Sequence, residues 1–393
     1  MGRAILREGA IEEPMSSNAN PASVEFRQID TASGHVIGVA RLNSPQSLNA
    51  LSLAMIRLLD ATLREWVRDP RVACIVMQGA GEKAFCAGGD VRSLHSAILE
   101  HESAIPNPSA LEFFSEEYRL DHRIHTCRKP VLVWGSGIVI GGGMGLLSGA
   151  SHRVVTETSR IAMPEITIGL FPDVAGSWFL QHMPGHMGLF VALTGAVLNG
   201  HDAVVSGLAD YFLKSSDRDA VIQCMVNSQW HDTAAANRDL LSSIVRDFDE
   251  TATTVRPPSN LLREAGTIEE LCAGDTLGEV LRRFADYTGT DEWIRRGIRT
   301  LAKGSPTSAA LIWELRERSR GLALADIFRM ECIVALQCCA HPDFPEGVRA
   351  LLIDKDNEPR WTPAKQADVS AEWVEEHFAP PPWPQGKHPL GDL

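Results

Sequence analysis

Four short segments carry residue types that could do chemistry together. They are Lys83-Ala84-Phe85-Cys86-Ala87-Gly88-Gly89-Asp90, Gly141-Gly142-Gly143-Met144-Gly145, Met163-Pro164-Glu165 and Gly169-Leu170-Phe171-Pro172-Asp173. The first two are glycine-rich, so backbone N–H groups can approach a ligand oxygen closely. The last two end in carboxylates that follow proline, which fixes φ and favours a set geometry. Two N–H donors on one carbonyl oxygen form an oxyanion hole, each donor typically worth ~10²–10³ in rate. A carboxylate beside such a hole can take a proton, activate water or attack the carbonyl. Enolate formation, double-bond hydration and acyl hydrolysis all fit that equipment.

Each segment also has a plainer explanation. Gly88-Gly89 could be an ordinary turn, with Asp90 capping the next helix. Gly141-Gly142-Gly143 could serve tight packing of helix on sheet. Glu165 and Asp173 could be surface acids, the commoner fate of carboxylates. The apolar neighbours Ile161, Met163, Ile166 and Ile168 instead favour partial burial of Glu165, which would raise its pKa. Glu116-Glu117-Tyr118, on a helix expected over 111–124, reads as a solvated face on its residues alone.

Other chemistries lack their signatures. The chain has no phosphate-binding G-x-x-x-x-G-K-[ST] loop and no complete dinucleotide fingerprint after Gly135-Ser136-Gly137. Gly145-Leu146-Leu147-Ser148-Gly149 is not a nucleophile elbow. His182 and His186 have metal-like spacing, but Pro184-Gly185 breaks a shared helix face, so they read as loop or packing histidines. Cys86 lies within a motif, with no histidine close by before His95, and is not expected to be a nucleophile.

Strand–loop–helix alternation must position these segments. A hairpin is expected over Val24 to Asn43, and a helix capped by Ser52 that ends at Asp69-Pro70. Val72 to Met77, Val131 to Val133, Ile138 to Ile140 and His152 to Glu157 read as strands. Such alternation predicts an α/β domain with mainly parallel sheets. From about Ser216 amphipathic helices follow, among them Leu277 to Tyr287, Trp293 to Leu301 and Leu324 to Cys339. The expected organisation is a leader over 1–22, a spiral core over 23–215, a helical region over 216–375 and a Pro-rich tail over 376–393 that stays out of the core.

The 393 residues, 44% of them hydrophobic, suffice for a large core. A net charge of -13 argues against a nucleic-acid partner. The eight cysteines include no C-x-x-C pair and read as buried or free thiols in a reducing compartment. No apolar run reaches membrane-spanning length. Residues 1–22 lack a secretory h-region and contain Glu8, Glu12 and Glu13, so a cytoplasmic protein is expected.

Together, residues 24–215 resemble the enoyl-CoA hydratase/isomerase (crotonase) superfamily. The resemblance rests on Leu48-Asn49-Ala50-Leu51, the Ala87-Gly88-Gly89-Asp90 loop, the triple glycine and the Pro-Glu. It implies a crotonase-type ββα spiral followed by C-terminal helices. It also implies that the Gly89 and Gly142 N–H groups hold a CoA-thioester oxyanion, with Ala50, Ala87, Gly88 and Asp90 lining the substrate site.

Hydratases of this superfamily carry a second catalytic Glu three residues after the middle oxyanion glycine, and here that position is Gly145. The 3-hydroxyisobutyryl-CoA hydrolase branch is more similar. Phe113 to Tyr118, Met163 to Asp173, Lys303 to Ser308 and Glu346 to Asp356, with Pro359 and Trp361, look like its motifs. This extends the resemblance to about 24–375. It implies substrate binding and catalysis by Glu117, Gly142, Glu165 and Asp173, with Glu165 acting on the thioester or on water and Asp173 holding the β-hydroxyl or assisting proton transfer. The implied activity is hydrolysis of a short branched 3-hydroxyacyl-CoA in valine breakdown. No metal or redox cofactor is expected. CoA enters with the substrate, its phosphates near Lys83 and Arg92, and a homo-oligomer is possible. The alternatives are a hydratase or isomerase with Asp173 as second acid, and a non-catalytic CoA-binding subunit.

Overall fold

The computed structural model describes residues 22–100 and 104–393. The leader expected over 1–22 therefore lies, but for Ala22, outside the described residues.

The strands β1 (Val24–Asp30) and β2 (Val36–Leu42) form the expected antiparallel hairpin. Ser52 caps α1 (Leu53–Arg68), its hydroxyl accepting from the Met55 N–H. After it, β3 (Val72–Gly79) leads to β4 (Ala84–Cys86). Next come α2 (Val91–Glu100) and α3 (Pro108–His125), then β5 (Val131–Gly135), β6 (Ile138–Ile140) and α4 (Gly142–Ser148). β7 (His152–Thr156) and β8 (Arg160–Ala162) complete the third turn.

Each turn of this spiral gives one strand to each of two sheets. The first sheet runs β1-β2-β3-β5-β7 and ends on a tenth strand, Tyr211–Leu213. The second joins β4, β6 and β8 in parallel and closes on antiparallel Leu198–Asn199. Because β4, β6 and β8 are parallel neighbours, their C-terminal ends lie side by side. Those ends lead into Gly88-Gly89, Gly141-Gly142 and Pro164-Glu165 respectively. The carboxyl edge of parallel strands is where open α/β sheets place ligands.

Both faces of the first sheet are covered, as a largely parallel sheet requires. On β5, Val131 and Val133 face the main core, whereas Leu132 and Trp134 face a second cluster with Val221, Met225, Trp230 and Leu241. The main core continues without a break into the C-terminal helices through Leu311, Phe328, Leu336 and Phe344.

Residues 379–393 correct one expectation. Instead of staying out of the core, Leu390 is fully buried and Trp383 packs on the core. Arg119 of α3 donates to the Pro389 carbonyl at 2.7 Å and pairs with Asp392. The prolines hid a small apolar anchor: Trp383 and Leu390 supply area to bury, and an extended Pro-rich segment costs little further entropy to dock.

Candidate active site

The two proposed oxyanion N–H groups are neighbours. A Cβ built on Gly142 would stand 3.3 Å from the Gly89 nitrogen and 2.5 Å from Glu117 Oε1. Glycine at 142 is thus a matter of close approach. Around it, the Leu51 N–H donates to the Gly88 carbonyl and the Asp90 N–H to the Leu51 carbonyl, both at 2.8 Å. Among the described residues, neither the Gly89 nor the Gly142 N–H takes part in this loop network.

The loop before Gly89 is strutted by Asn49, which is fully buried. Its amide donates to the Ala80 and Ala84 carbonyls at 3.0 and 2.9 Å and accepts from the Ser44 N–H. The Ala87 N–H bonds to the Leu48 carbonyl, so Ala50 and Ala87 lie on adjoining segments. Asp90 caps α2 through the Ser93 N–H and hydroxyl, as its plainer explanation had it. Lys83 is exposed on a cleft of ≈ 340 Å³ with Pro45, Leu48 and Gly81, and Arg92 is exposed on α2.

Glu165 opens a short 3-10 turn (Glu165–Ile168) and is 5% exposed. A Cβ on Gly141 would be 3.1 Å from its Oε1, and its Oε2 has no hydrogen-bond partner. Burial, then the charge of Asp173, pushes its pKa well above the usual carboxylate range. Asp173, also 5% exposed, accepts from the Tyr118 hydroxyl at 2.7 Å. Burial pushes it up to about 6, against the lowering effect of that hydroxyl.

Glu117 corrects the solvated-face expectation. Glu116 is on the wet side, bonded to Arg57, whereas Glu117 is 2% exposed and turned toward Gly142. Burial, then Asp173, raises it well above its ordinary value. Cys86 is buried with its thiol pushed up to about 12, mainly by desolvation, which suits packing and not attack. His186 binds Glu269 at 2.6 Å, and among the described residues no cluster of three or more potential ligands could hold a metal ion.

Two buried acids join the site that the sequence reading missed. Glu331 accepts from the Ala175 and Ser177 N–H groups at 2.8 and 2.9 Å. It thereby ties down a loop in which Val174 and Ala175 both have positive φ, 51° and 70°. A β-branched residue there is strained and persists only where its surroundings hold it. The second is Asp121, one turn beyond Glu117 on α3, fully buried with neither oxygen bonded. Both had a signal. Asp121 shares the face of Glu117 at i, i+4. Glu331 occupies the apolar phase set by Ile327, Phe328, Cys332 and Ala335.

Burying so many acids makes stability depend on pH. The folded state keeps protons that the unfolded chain releases above about pH 4. Stability therefore falls as pH rises, by about 1.4 kcal/mol per unit for each carboxyl still protonated. For Asp173 that loss is complete near pH 6, and for Glu331, pushed up to about 8 mainly by burial, near pH 8. Thermal melts should show a higher Tm near about pH 5 than near about pH 8; an equal or rising Tm would contradict the raised values.

Comparison with known proteins puts this geometry in company. The profile of the enoyl-CoA hydratase/isomerase family matches residues 37–378. The 3-hydroxyisobutyryl-CoA hydrolase, mitochondrial, of Danio rerio is 36% identical over 377 residues, 96% of this chain and 94% of its own. That of Homo sapiens is 35% identical over 342 residues, 87% and 86% of the two chains. Among solved structures, an enoyl-CoA hydratase from Rhodobacter sphaeroides superposes with a TM-score of 0.78 at 32% identity, covering 91% of this chain and 98% of its own. A carnitinyl-CoA dehydratase from Mycobacterium thermoresistibile gives 0.77 at 30% identity, covering 91% and 97%.

Proposed function

The chain belongs to the enoyl-CoA hydratase/isomerase family, and from that premise we propose that it hydrolyses 3-hydroxyisobutyryl-CoA to 3-hydroxyisobutyrate and CoA, in valine breakdown. Its curated relatives bear that activity in their names, whereas the solved structures bear those of a hydratase and a dehydratase. One observation decides between them. A two-glutamate hydratase needs a side chain at position 145. Here a Cβ on Gly145 would stand 2.6 Å from Asp121 Oδ2 and 2.8 Å from Val174 Cβ. The chain has no second glutamate at that position and no room for one.

The proposed chemistry follows from the remaining groups. The Gly89 and Gly142 N–H groups polarise the thioester carbonyl and hold the negative oxygen that forms on attack. The Glu165 carboxylate either attacks the carbonyl carbon, giving an acyl anhydride that water opens, or takes the proton of a water that attacks directly. In both routes the C–S bond breaks, a C–O bond forms, and the departing thiolate takes up the proton that water supplies. Asp173, with one oxygen held by Tyr118, receives the 3-hydroxyl on the other. These residues supply the whole reaction, so we propose no metal or redox cofactor. Lys83 is the basic group proposed for the CoA phosphates.

Among the described residues no helix is long and apolar enough to cross a membrane. All eight cysteines are free, which suits a reducing compartment, and we propose the cytoplasm. The named relatives are mitochondrial, so fractionation of cells making the chain separates the two.

Thiol release from 3-hydroxyisobutyryl-CoA, 3-hydroxypropionyl-CoA and crotonyl-CoA tests the activity. Release from the hydroxyacyl thioesters, fastest with the branched one, is expected. No thiol from any of them, with the enoyl absorbance of crotonyl-CoA falling, would move the protein to the hydratases.

A further inference from the structure

Two rungs of paired residues join α3 to α4. Glu117 faces Gly142, and Asp121, four residues on, faces Gly145, three residues on. A Cβ at either glycine would lie within 2.6 Å of the opposing carboxylate oxygen. Glu117 Oε1 and both oxygens of Asp121 are buried without a hydrogen-bond partner. Two adjoining buried carboxylates cannot both carry charge, and an unbonded one is costly. A single proton between them removes one charge and pairs one oxygen of each: a carboxylic acid donates, a carboxylate accepts.

We propose that Asp121 is a positioning residue held as a neutral carboxylic acid, whose O–H donates to Glu117 and aims that carboxylate at the substrate beside the Gly142 N–H. The assignment of the proton follows from placement. Glu117 lies beside the Gly89 and Gly142 backbone and keeps a slight exposure. Asp121 sits one rung deeper, 0% exposed, against Gly145 and Val174. Everything charged that faces Asp121 is acidic: Glu117 on its own helix, Asp173 on the loop, and Glu331 on the Leu324–Ala340 helix. After burial, these three push Asp121 well above its ordinary value. α4 contributes only glycine there. His125, a turn further along α3, is brought down to about 4 by burial and stays neutral, as does the Cys86 thiol on β4.

The test compares wild type, Asp121→Leu and Asp121→Asn, by thiol release across pH and by infrared difference spectra. Leu is expected to lower kcat/KM about 10²-fold by misplacing Glu117. Asn, whose N–H replaces the O–H, is expected to restore activity to within about threefold of wild type near neutral pH. As pH rises the wild type should lose activity when Asp121 ionises, and Asp121→Asn should lack that alkaline limb. The carbonyl band that one protonated carboxylic acid contributes should also be lost in Asp121→Asn. An Asn variant as impaired as Leu, an unchanged alkaline limb or an unchanged band would each overturn the proposal. If the Leu variant does not fold, the Asn pH profile and spectrum decide alone. The kinetic arm rests on the hydrolase reading, and the infrared arm does not. Wild type that releases no thiol yet loses the band in Asp121→Asn would sink the hydrolase and keep Asp121.

Discussion

Glu165→Gln should hydrolyse 3-hydroxyisobutyryl-CoA about 10³-fold slower than wild type or worse, since both proposed routes to the product pass through that carboxylate. The substitution keeps the shape of a side chain that is 5% exposed, so it leaves no cavity. It also removes a carboxyl whose ionisation burial opposes, so the Tm near about pH 8 should be equal or higher. A dead enzyme with an intact melt is therefore the expected pair of results. Glu165 must also be ionised to act. Its raised value places an acid limb on kcat/KM: activity falls as pH drops through it, and that limb should vanish with the residue. A variant that keeps more than about a tenth of the wild-type rate would remove Glu165 from the chemistry.

Gly142→Ala should cost about 10²–10³ in kcat, comparable to losing an oxyanion donor. The new methyl would stand 2.5 Å from Glu117 Oε1 and 3.3 Å from both the Gly89 nitrogen and Leu51 Cδ1. It would therefore intrude on the proposed place of the thioester oxygen and push the carboxylate away from it. Gly278→Ala is the matched control. It lies on the Leu277–Ala285 helix, where a Cβ meets nothing within 4 Å, and should leave turnover unchanged. Equal activity in the two variants would argue that the N–H groups of Gly89 and Gly142 do not hold the oxyanion.

Local signals carried much of this site, and long-range packing carried the rest. Glu165 was legible because Pro164 and a ring of Ile and Met neighbours implied burial, and the spiral strands were legible as β-branched runs beside glycine turns. Glu117 was not legible from its own helix, where it adjoins the solvated Glu116; the Gly89 loop and α4, both distant in sequence, close over it. Asp121 and Glu331 were missed for the same reason. What makes them part of the site is a glycine on α4 and two N–H groups of the Val174–Ser177 loop, all distant in sequence.

The C-terminal motifs gain a physical meaning in the same way. The Ser305 N–H donates to the Ile166 carbonyl at 3.0 Å, inside the turn that Glu165 opens. Gly169 lies so close to Asp343 that a Cβ would stand 2.3 Å from its backbone carbon. Asp343 in turn accepts from the Ser305 hydroxyl and the Thr362 N–H, and Trp361 donates to the Lys303 carbonyl.

That brace reaches back across almost two hundred residues, and this has a consequence for biosynthesis. At about 5–20 residues per second, roughly 10–40 s separate the translation of Gly169 from that of Thr362. For that interval the turn bearing Glu165 is already made while the segment that backs it is not yet fully synthesised. The nascent spiral must wait with an uncovered apolar flank, the kind of surface that aggregates or engages chaperones. Supply of active enzyme in a cell should thus be sensitive to translation speed and chaperone capacity, quite apart from the stability of the finished fold.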